Sequence, residues 1–290
     1  MEGSGAPPGS QRQGLCAATL MSKRAIGSYS TAWRGLTKIV VPALLAATTK
    51  HEWHGQDYIR GVSSSSGVIL AANHLSYADP LPLCLFTHRA GRYPVFLAKS
   101  SLFEIKGLGA VMRGTGQLPV YRGQSDAALV LRDVEQGLRD GACVIFYPEG
   151  TATRDPDLWP MVPRTGVARA ALATGVPVIP VAQWGAQRIL PYGSMHPHLL
   201  PRTTIQITAG PPVDLSEFEG KPLSTQVLRD AAQVIMKDIT GLLGGIRGET
   251  PPDEPYHPAV ARRKARQAAR GAEGAVTEAV ADSGTEASST

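Results

Sequence analysis

From residue 31 to 248 the chain alternates short apolar runs with amphipathic stretches. Six runs have strand length and end at turn residues: 68–73 (VILAAN), 94–98 (PVFLA), 117–122 (QLPVYR), 143–147 (CVIFY), 176–181 (VPVIPV) and 204–208 (TIQIT). Between them the apolar period changes to that of a helix. Ser125 can cap a helix carrying Ala127, Leu131, Val134 and Leu138 on one stripe and ending at Gly141. A second helix is expected over 165–174, closed by Gly175, and a third over about 224–243. Strands alternating with helices predict an α/β fold: a central, mostly buried sheet flanked by helices.

The segment before the first strand differs. Trp33, Leu36, Val40, Ala43 and Ala47 follow helical spacing, and 39–47 (IVVPALLAA) is apolar all round, with Pro42 expected to kink it. Nine helical residues span only ~14 Å, less than half of a bilayer's hydrocarbon thickness. Such a helix either packs into a core or lies in a membrane surface, with Arg34 and Lys38 toward the headgroups.

Composition refines the boundaries. Residues 1–30 are rich in Gly, Ser, Pro and Ala, and 249–290 in Pro and then Ala, Arg and Glu. Neither stretch has the large apolar side chains needed to offset ordering entropy, so both are expected to be flexible ends around one domain at 31–248. Within the second, 262–270 could form a short basic helix. The 290 residues are 43% hydrophobic and 18% charged, a globular balance. A net charge of +5 suits anionic membranes, nucleic acids or phosphorylated substrates and does not choose among them. Cys16, Cys84 and Cys143 lack metal-type spacing and read as thiols of a reducing compartment, the last two buried. No apolar run reaches the ~20 residues of a spanning helix, and the first thirty residues show no leader-type apolar region.

Four segments carry candidate chemistry. In 68–80 (VILAANHLSYADP) a buried strand delivers Asn73 and His74 at its C-terminal end, where α/β folds place reactive groups. Asp79 before Pro80 is a helix-start signal. His and Asp five residues apart would stand ~140° apart on a helix, so they meet only across a strand–turn–helix junction. There Asp79 could accept from one ring nitrogen and leave the other as a base, or be a plain cap beside an unrelated histidine. Ser76 is a rival nucleophile without an elbow motif.

In 142–154 (ACVIFYPEGTATR) an apolar strand stops at Pro148-Glu149-Gly150-Thr151. Gly150 permits a tight turn with backbone N–H groups open to an anion, Thr151 adds a hydroxyl and Arg154 a guanidinium. Lys99 and Arg122 each end a strand, a possible phosphate clamp. Pro177 and Pro180 mark the 176–181 run as a strand of limited pairing near an apolar pocket. His51, His54, His196 and His198 have no carboxylate at matching spacing and read as surface groups.

Taken in order, these segments resemble the phospholipid-synthesis acyltransferase family, whose prototype acylates 1-acyl-glycerol-3-phosphate. The block Asn-His-x4-Asp matches Asn73, His74 and Asp79. An apolar strand ending in Arg resembles 118–122, Phe-Pro-Glu-Gly-Thr-Arg-Ser resembles 147–151, and Val-Pro-x-x-Pro-Val matches 176–181. The likeness covers about 60–215, and 147–160 looks like the actinobacterial branch. Two departures stand out: the third-block arginine is displaced to Arg154, and Tyr121 stands where an acid is common.

The resemblance implies a glycerolphosphate-acyltransferase-type fold and a lysophospholipid acceptor, lysophosphatidic acid foremost. It implies acyl-CoA or acyl carrier protein as co-substrate, no further cofactor, no metal and no nucleic acid. His74 would be the general base and Asp79 its partner. Asn73, Lys99, Arg122, Glu149, Gly150, Thr151, Arg154 and Pro180 would bind substrate. It also favours the membrane-surface reading of the helix at about 33–48, on the cytoplasmic face of the cell membrane. Glycerol-3-phosphate, another lysophospholipid or a glycolipid are alternative acceptors; a non-catalytic lipid binder of the same fold and a thioesterase are further readings.

Overall fold

The computed structural model describes residues 30–121, 124–194, 196–263 and 266–267. Its elements, in chain order, are α1 (Thr31–Thr48), β1 (Thr49–His54), α2 (Gln56–Arg60), β2 (Val68–Ala72), α3 (Pro80–Arg89) and β3 (Pro94–Lys99). A 3₁₀ turn at Ser100–Phe103 precedes α4 (Leu108–Gly114), β4 (Leu118–Val120), α5 (Gln124–Arg139) and β5 (Cys143–Phe146). Then come α6 (Gly166–Thr174), β6 (Val178–Trp184), α7 (Ala186–Ile189), β7 (Thr203–Ala209) and α8 (Thr225–Arg247).

Seven strands form one sheet in the order β1-β7-β6-β2-β5-β3-β4. The block β6-β2-β5-β3-β4 is parallel, and β7 turns antiparallel against β6. The C-terminal ends of β2, β5, β3 and β4 therefore share one edge. Alternation along β2 assigns its two faces. Ile69 and Ala71 meet Val134 and Leu138 of α5, Val167 of α6 and Ile235 of α8. Val68, Leu70 and Ala72 meet Ile59 of α2 with Leu83 and Phe86 of α3. Both faces are covered, which is why these strands read as unbroken apolar runs.

Helix ends follow local chemistry. Ser224 caps α8, its side chain accepting from Val227 N–H at 3.2 Å. Ser224→Ala is expected to cost about 1 kcal/mol, read as a lower urea midpoint with an unchanged slope. α6 ends at Gly175 in the left-handed region, as expected. α5 starts at Gln124, so Ser125 lies inside the helix and does not cap it from outside. Its inward stripe keeps Val134 and Leu138, both fully buried.

Several expectations need correction. β1 was not foreseen: its sequence TKHEWH is polar because it is an edge strand with Lys50, Glu52 and His54 exposed. His51 is not a free surface group. It stacks on Trp53 at 4.5 Å and shares a 2.8 Å hydrogen bond with the Thr49 hydroxyl. Burial, then the charges of Arg89 and Arg202, lower its pKa. β6 is an inner strand, but over 178–180 it pairs only with β2, which fits the limited pairing expected of 176–181. The Pro180 carbonyl accepts from Gly210 N–H, so its missing N–H also points to that side, where pairing with β7 starts only at Val181.

The C-terminal stretch does not leave the domain at 249. Tyr256 bridges to Met161 and accepts from Val162 N–H at 3.1 Å, and 258–263 is helical. The basic stretch 262–270 is only partly among the described residues, and of the expected flexible segment 1–30 all but residue 30 lies outside them. α1 runs through Pro42 without ending. It is not a core helix: Leu36, Ile39, Val40 and Leu44 are 49%, 72%, 51% and 45% exposed, and only Leu45 is buried among its apolar residues. No described helix is long and apolar enough to cross a membrane.

Candidate active site

The site begins where β2 ends. Asn73 is fully buried and locks β2 to β6 through Gln183: its side chain donates to Gln183 O at 3.0 Å and accepts from Gln183 N–H at 2.8 Å. The Gln183 amide returns a bond to Asn73 O at 2.8 Å. Three hydrogen bonds and complete burial make Asn73 a structural pin, not a ligand contact as expected. Gln183 was missed, although one polar residue inside an apolar run (VIPVAQW) is a signal for such a lock.

Asn73 thereby holds His74 at the strand end. His74 Nδ1 lies 2.8 Å from Asp79 Oδ2, across the turn 75–78. The same oxygen accepts from Leu75 N–H at 2.6 Å and Ser76 N–H at 2.8 Å. Asp79 is fully buried, and these donors offset the cost of burying its charge. It stands at the start of α3 with Pro80 behind it, but makes no side-chain cap bond. The combined role of cap and partner is thus corrected: the carboxylate turns back to the histidine. His74 Nε2 has no hydrogen-bond partner among the described residues. Ser76 is buried with its hydroxyl given to Leu190 O at 2.7 Å, which removes it as a nucleophile.

Tyr147, at the end of β5, stacks on the His74 ring at 4.2 Å with planes 17° apart. Its role as a platform was not foreseen, although the residue lies inside the quoted block. Burial, then the Asp79 charge, hold its hydroxyl well above the ordinary range, Gln183 opposing.

Glu149 is also turned inward. One carboxylate oxygen accepts from His74 N–H at 2.9 Å and the other from Met161 N–H at 3.0 Å. The residue is 3% exposed, so it ties the His74 backbone to the loop 150–161 and does not face a ligand, contrary to expectation. Burial pushes its pKa up to about 8, and the Met161 and His74 N–H bonds only partly oppose this. Thr153 completes the tie: its N–H donates to His74 O at 2.7 Å and its hydroxyl to Trp159 O at 2.7 Å.

The remaining expected ligand residues divide. Thr151 is half-buried and Gly150 exposed at the outer turn, but Gly150 N–H donates to Tyr147 O, so that amide is not open to an anion. Arg154 is exposed, and its charge acts on Tyr77 at the mouth. Lys99 is exposed at the end of β3, on the shared strand edge. Arg122 lies outside the described residues. Pro180 is buried on the other side of the sheet, where it lines a groove with Gly210 and Leu242 of α8, and is removed from the His74 face. Cys84 and Cys143 have pKa values pushed up by burial to about 11 and about 12, so neither presents a thiolate. Among the described residues no three His, Cys, Asp or Glu side chains converge on a metal-type site.

Residues 50–184 match the family model described as Acyltransferase. The chloroplastic 1-acyl-sn-glycerol-3-phosphate acyltransferase BAT2 of Brassica napus is 32% identical over 133 residues, 46% of this chain and 37% of that one. The 1-acyl-sn-glycerol-3-phosphate acyltransferase of Escherichia coli is 29% identical over 126 residues, 43% of this chain and 49% of its own. The chain thus spans half or less of the length of these two relatives. The crystal structure of the 1-acyl-sn-glycerophosphate acyltransferase PlsC from Thermotoga maritima superposes with a TM-score of 0.56 at 20% identity, covering 83% of this chain and 90% of that one, and shares the fold. Over residues 50–184, which hold the His74–Asp79 pair and its Glu149 tie, this chain is similar to the acyltransferase family.

Proposed function

We propose that the protein moves a fatty acyl group from acyl-CoA or acyl carrier protein to the free hydroxyl of lysophosphatidic acid, giving phosphatidic acid. The observation that carries this reading is the 2.8 Å contact of His74 Nδ1 with buried Asp79 Oδ2 at a strand end. A carboxylate on Nδ1 selects the tautomer whose Nε2 is a base. Nε2 takes the proton of the acceptor hydroxyl as that oxygen attacks the thioester carbonyl. The tetrahedral intermediate collapses, the carbon–sulfur bond breaks and the thiol leaves with the proton from the imidazolium. Asp79 supports the imidazolium while it exists. The thioester is already activated, so the reaction needs no acyl-enzyme and no further cofactor. The relatives named 1-acyl-sn-glycerol-3-phosphate acyltransferases support this acceptor over glycerol-3-phosphate or a glycolipid.

The acceptor's alkyl chain calls for a lipid surface. α1 presents Leu36, Ile39, Val40 and Leu44 on one solvent-facing stripe. In our reading this stripe enters the membrane interface, and the enzyme is peripheral on the cytoplasmic face of the cell membrane. Replacing Ile39 and Leu44 together by Asp is expected to abolish cosedimentation with vesicles of anionic phospholipid while transfer to acceptor in detergent persists. Undiminished vesicle binding would exclude α1 as the anchor.

The function itself is tested with the full chain, acyl-CoA and a panel of lysophosphatidic acid, glycerol-3-phosphate, lysophosphatidylcholine and monoacylglycerol. Transfer is expected to be fastest to lysophosphatidic acid. A preference for an uncharged acceptor would defeat the assignment.

A further inference from the structure

We infer that Arg164, a residue outside every motif above, holds the phosphate of the acceptor, an inference that rests on the proposed function. Gly150 ends the turn after β5 with φ of +72°, a left-handed conformation that disfavours side chains. Arg164 crosses the space that a side chain would fill: its Nε and Cδ lie 2.6 and 2.7 Å from the position of a Cβ on Gly150. The backbone fixes this crossing, because Arg164 N–H donates to Pro148 O at 2.8 Å. The residue is exposed, and its guanidinium has no ion pair or hydrogen bond among the described residues.

The surroundings suit an anion. Glu149, next to Gly150, does not neutralise the guanidinium, because its oxygens are committed to His74 and Met161 N–H. Burial also raises its pKa, which disfavours a negative charge there. Lys99 ends β3, the strand beside β5, and adds a second charge on the same edge. Position 152 is a fully buried alanine, and Arg154 is exposed with its charge acting on Tyr77. Arg164 is therefore the cation applied directly to the Gly150 turn. The bond from His74 N–H to Glu149, the neighbour of Gly150, ties that turn to the backbone of the base. In the acceptor one glycerol unit separates hydroxyl from phosphate, so a phosphate on Arg164 leaves the hydroxyl toward His74. A planar guanidinium forks onto two phosphate oxygens, which lysine does not reproduce.

The test compares the full-length wild type with Arg164→Ala, Arg164→Lys and Gly150→Ala. KM and kcat are measured for lysophosphatidic acid, and KM for acyl-CoA. Dissociation constants are measured for lysophosphatidic acid and for monoacylglycerol, which lacks the phosphate. In Arg164→Ala, KM and the lysophosphatidic acid constant rise by about 10- to 100-fold, the scale of hydrogen bonds to a charged group. Its kcat falls far less, and the monoacylglycerol constant stays put. Arg164→Lys recovers part of the loss. Gly150→Ala, whose methyl meets the guanidinium, gives the same pattern, and keeps the inference testable if Arg164→Ala does not fold. Unchanged constants, equal weakening for monoacylglycerol, or a rise in the acyl-CoA KM alone would overturn the assignment; the last would give the arginine to the donor. A wild type that binds lysophosphatidic acid through Arg164 but transfers nothing to it would refute the proposed function and leave this inference standing.

Discussion

If the proposed function holds, His74→Ala is expected to lower transfer to lysophosphatidic acid by about 10²- to 10⁴-fold, the range a positioned general base contributes. The fold should survive. The side chain is only partly buried, and Asp79 Oδ2 keeps its bonds from Leu75 and Ser76 N–H. The measurement is thiol release from acyl-CoA at saturating acceptor, with circular dichroism and the melting midpoint as controls. A rate within about threefold of wild type, far inside the range expected for a lost base, would exclude His74 as that base. Asp79→Asn separates the partner from the base. Its amide oxygen can keep all three contacts that Oδ2 makes, with Nδ1 and with the Leu75 and Ser76 N–H groups, but the neutral group no longer supports the imidazolium. A large kcat loss with a near-native melting midpoint is expected.

The second large effect concerns Glu149 and pH. Its carboxyl has a pKa raised from 4.5 to about 8, burial being the first cause. Between those values the unfolded chain has released this proton and the folded chain still holds it. The folded state therefore binds more protons, and stability falls as pH rises through this window. Full stability from this group is present below pH 4.5 and is lost by about pH 8, a difference on the order of a few kcal/mol. Glu149→Gln cannot titrate. Its amide also turns a donor toward one of the two N–H groups that the carboxyl serves, at His74 and Met161. The variant is expected to be less stable than wild type at pH 5, with the gap closing toward pH 8. Urea midpoints at pH 5, 6, 7 and 8 decide it. A gap that stays constant or widens would mean that Glu149 is ionised in the fold, with the two N–H bonds outweighing burial.

Both effects arise at one junction. His74 is held by its N–H through Glu149, by its C=O through Thr153, by its ring face through Tyr147 and by Nδ1 through Asp79. The loop that supplies two of these contacts is stapled in turn by Arg247 at the end of α8. That guanidinium lies 4.1 Å from the Trp159 ring and 4.8 Å from the Trp184 ring, and donates to Asp157 O at 2.8 Å. Rigid support of this kind lets a base meet a hydroxyl without reorganisation.

Much of this was legible in order along the chain. The period-2 faces of β2, the apolar run of β5, the helix closing at Gly175 and the segment from Asn73 to Asp79 are local patterns with local causes. For His74 and Asp79 the sequence left two readings, a bend that joins them and a plain cap beside an unrelated histidine, and the structure shows the bend. What stayed hidden depends on which side of a layer a residue faces. Asn73 and Glu149 carry polar groups suited to ligands, and only the packing shows them spent on Gln183, His74 and Met161. Pro180 sits in a recognisable motif but on the face away from the base, a choice made by strand parity and by the cover of α8. Arg164 and Arg247 stand 14 and 97 residues after Gly150, and only chain crossings bring the first to that turn and the second to the loop beyond it. Spacing and hydrophobic period therefore determined most of the elements, while the likeness of four segments in order, not spacing alone, singled out His74 and Asp79. Tertiary structure alone decided which polar groups are used up inside and which cation stays free for a ligand, because satisfying a buried polar atom requires partners that are close in space and distant in sequence.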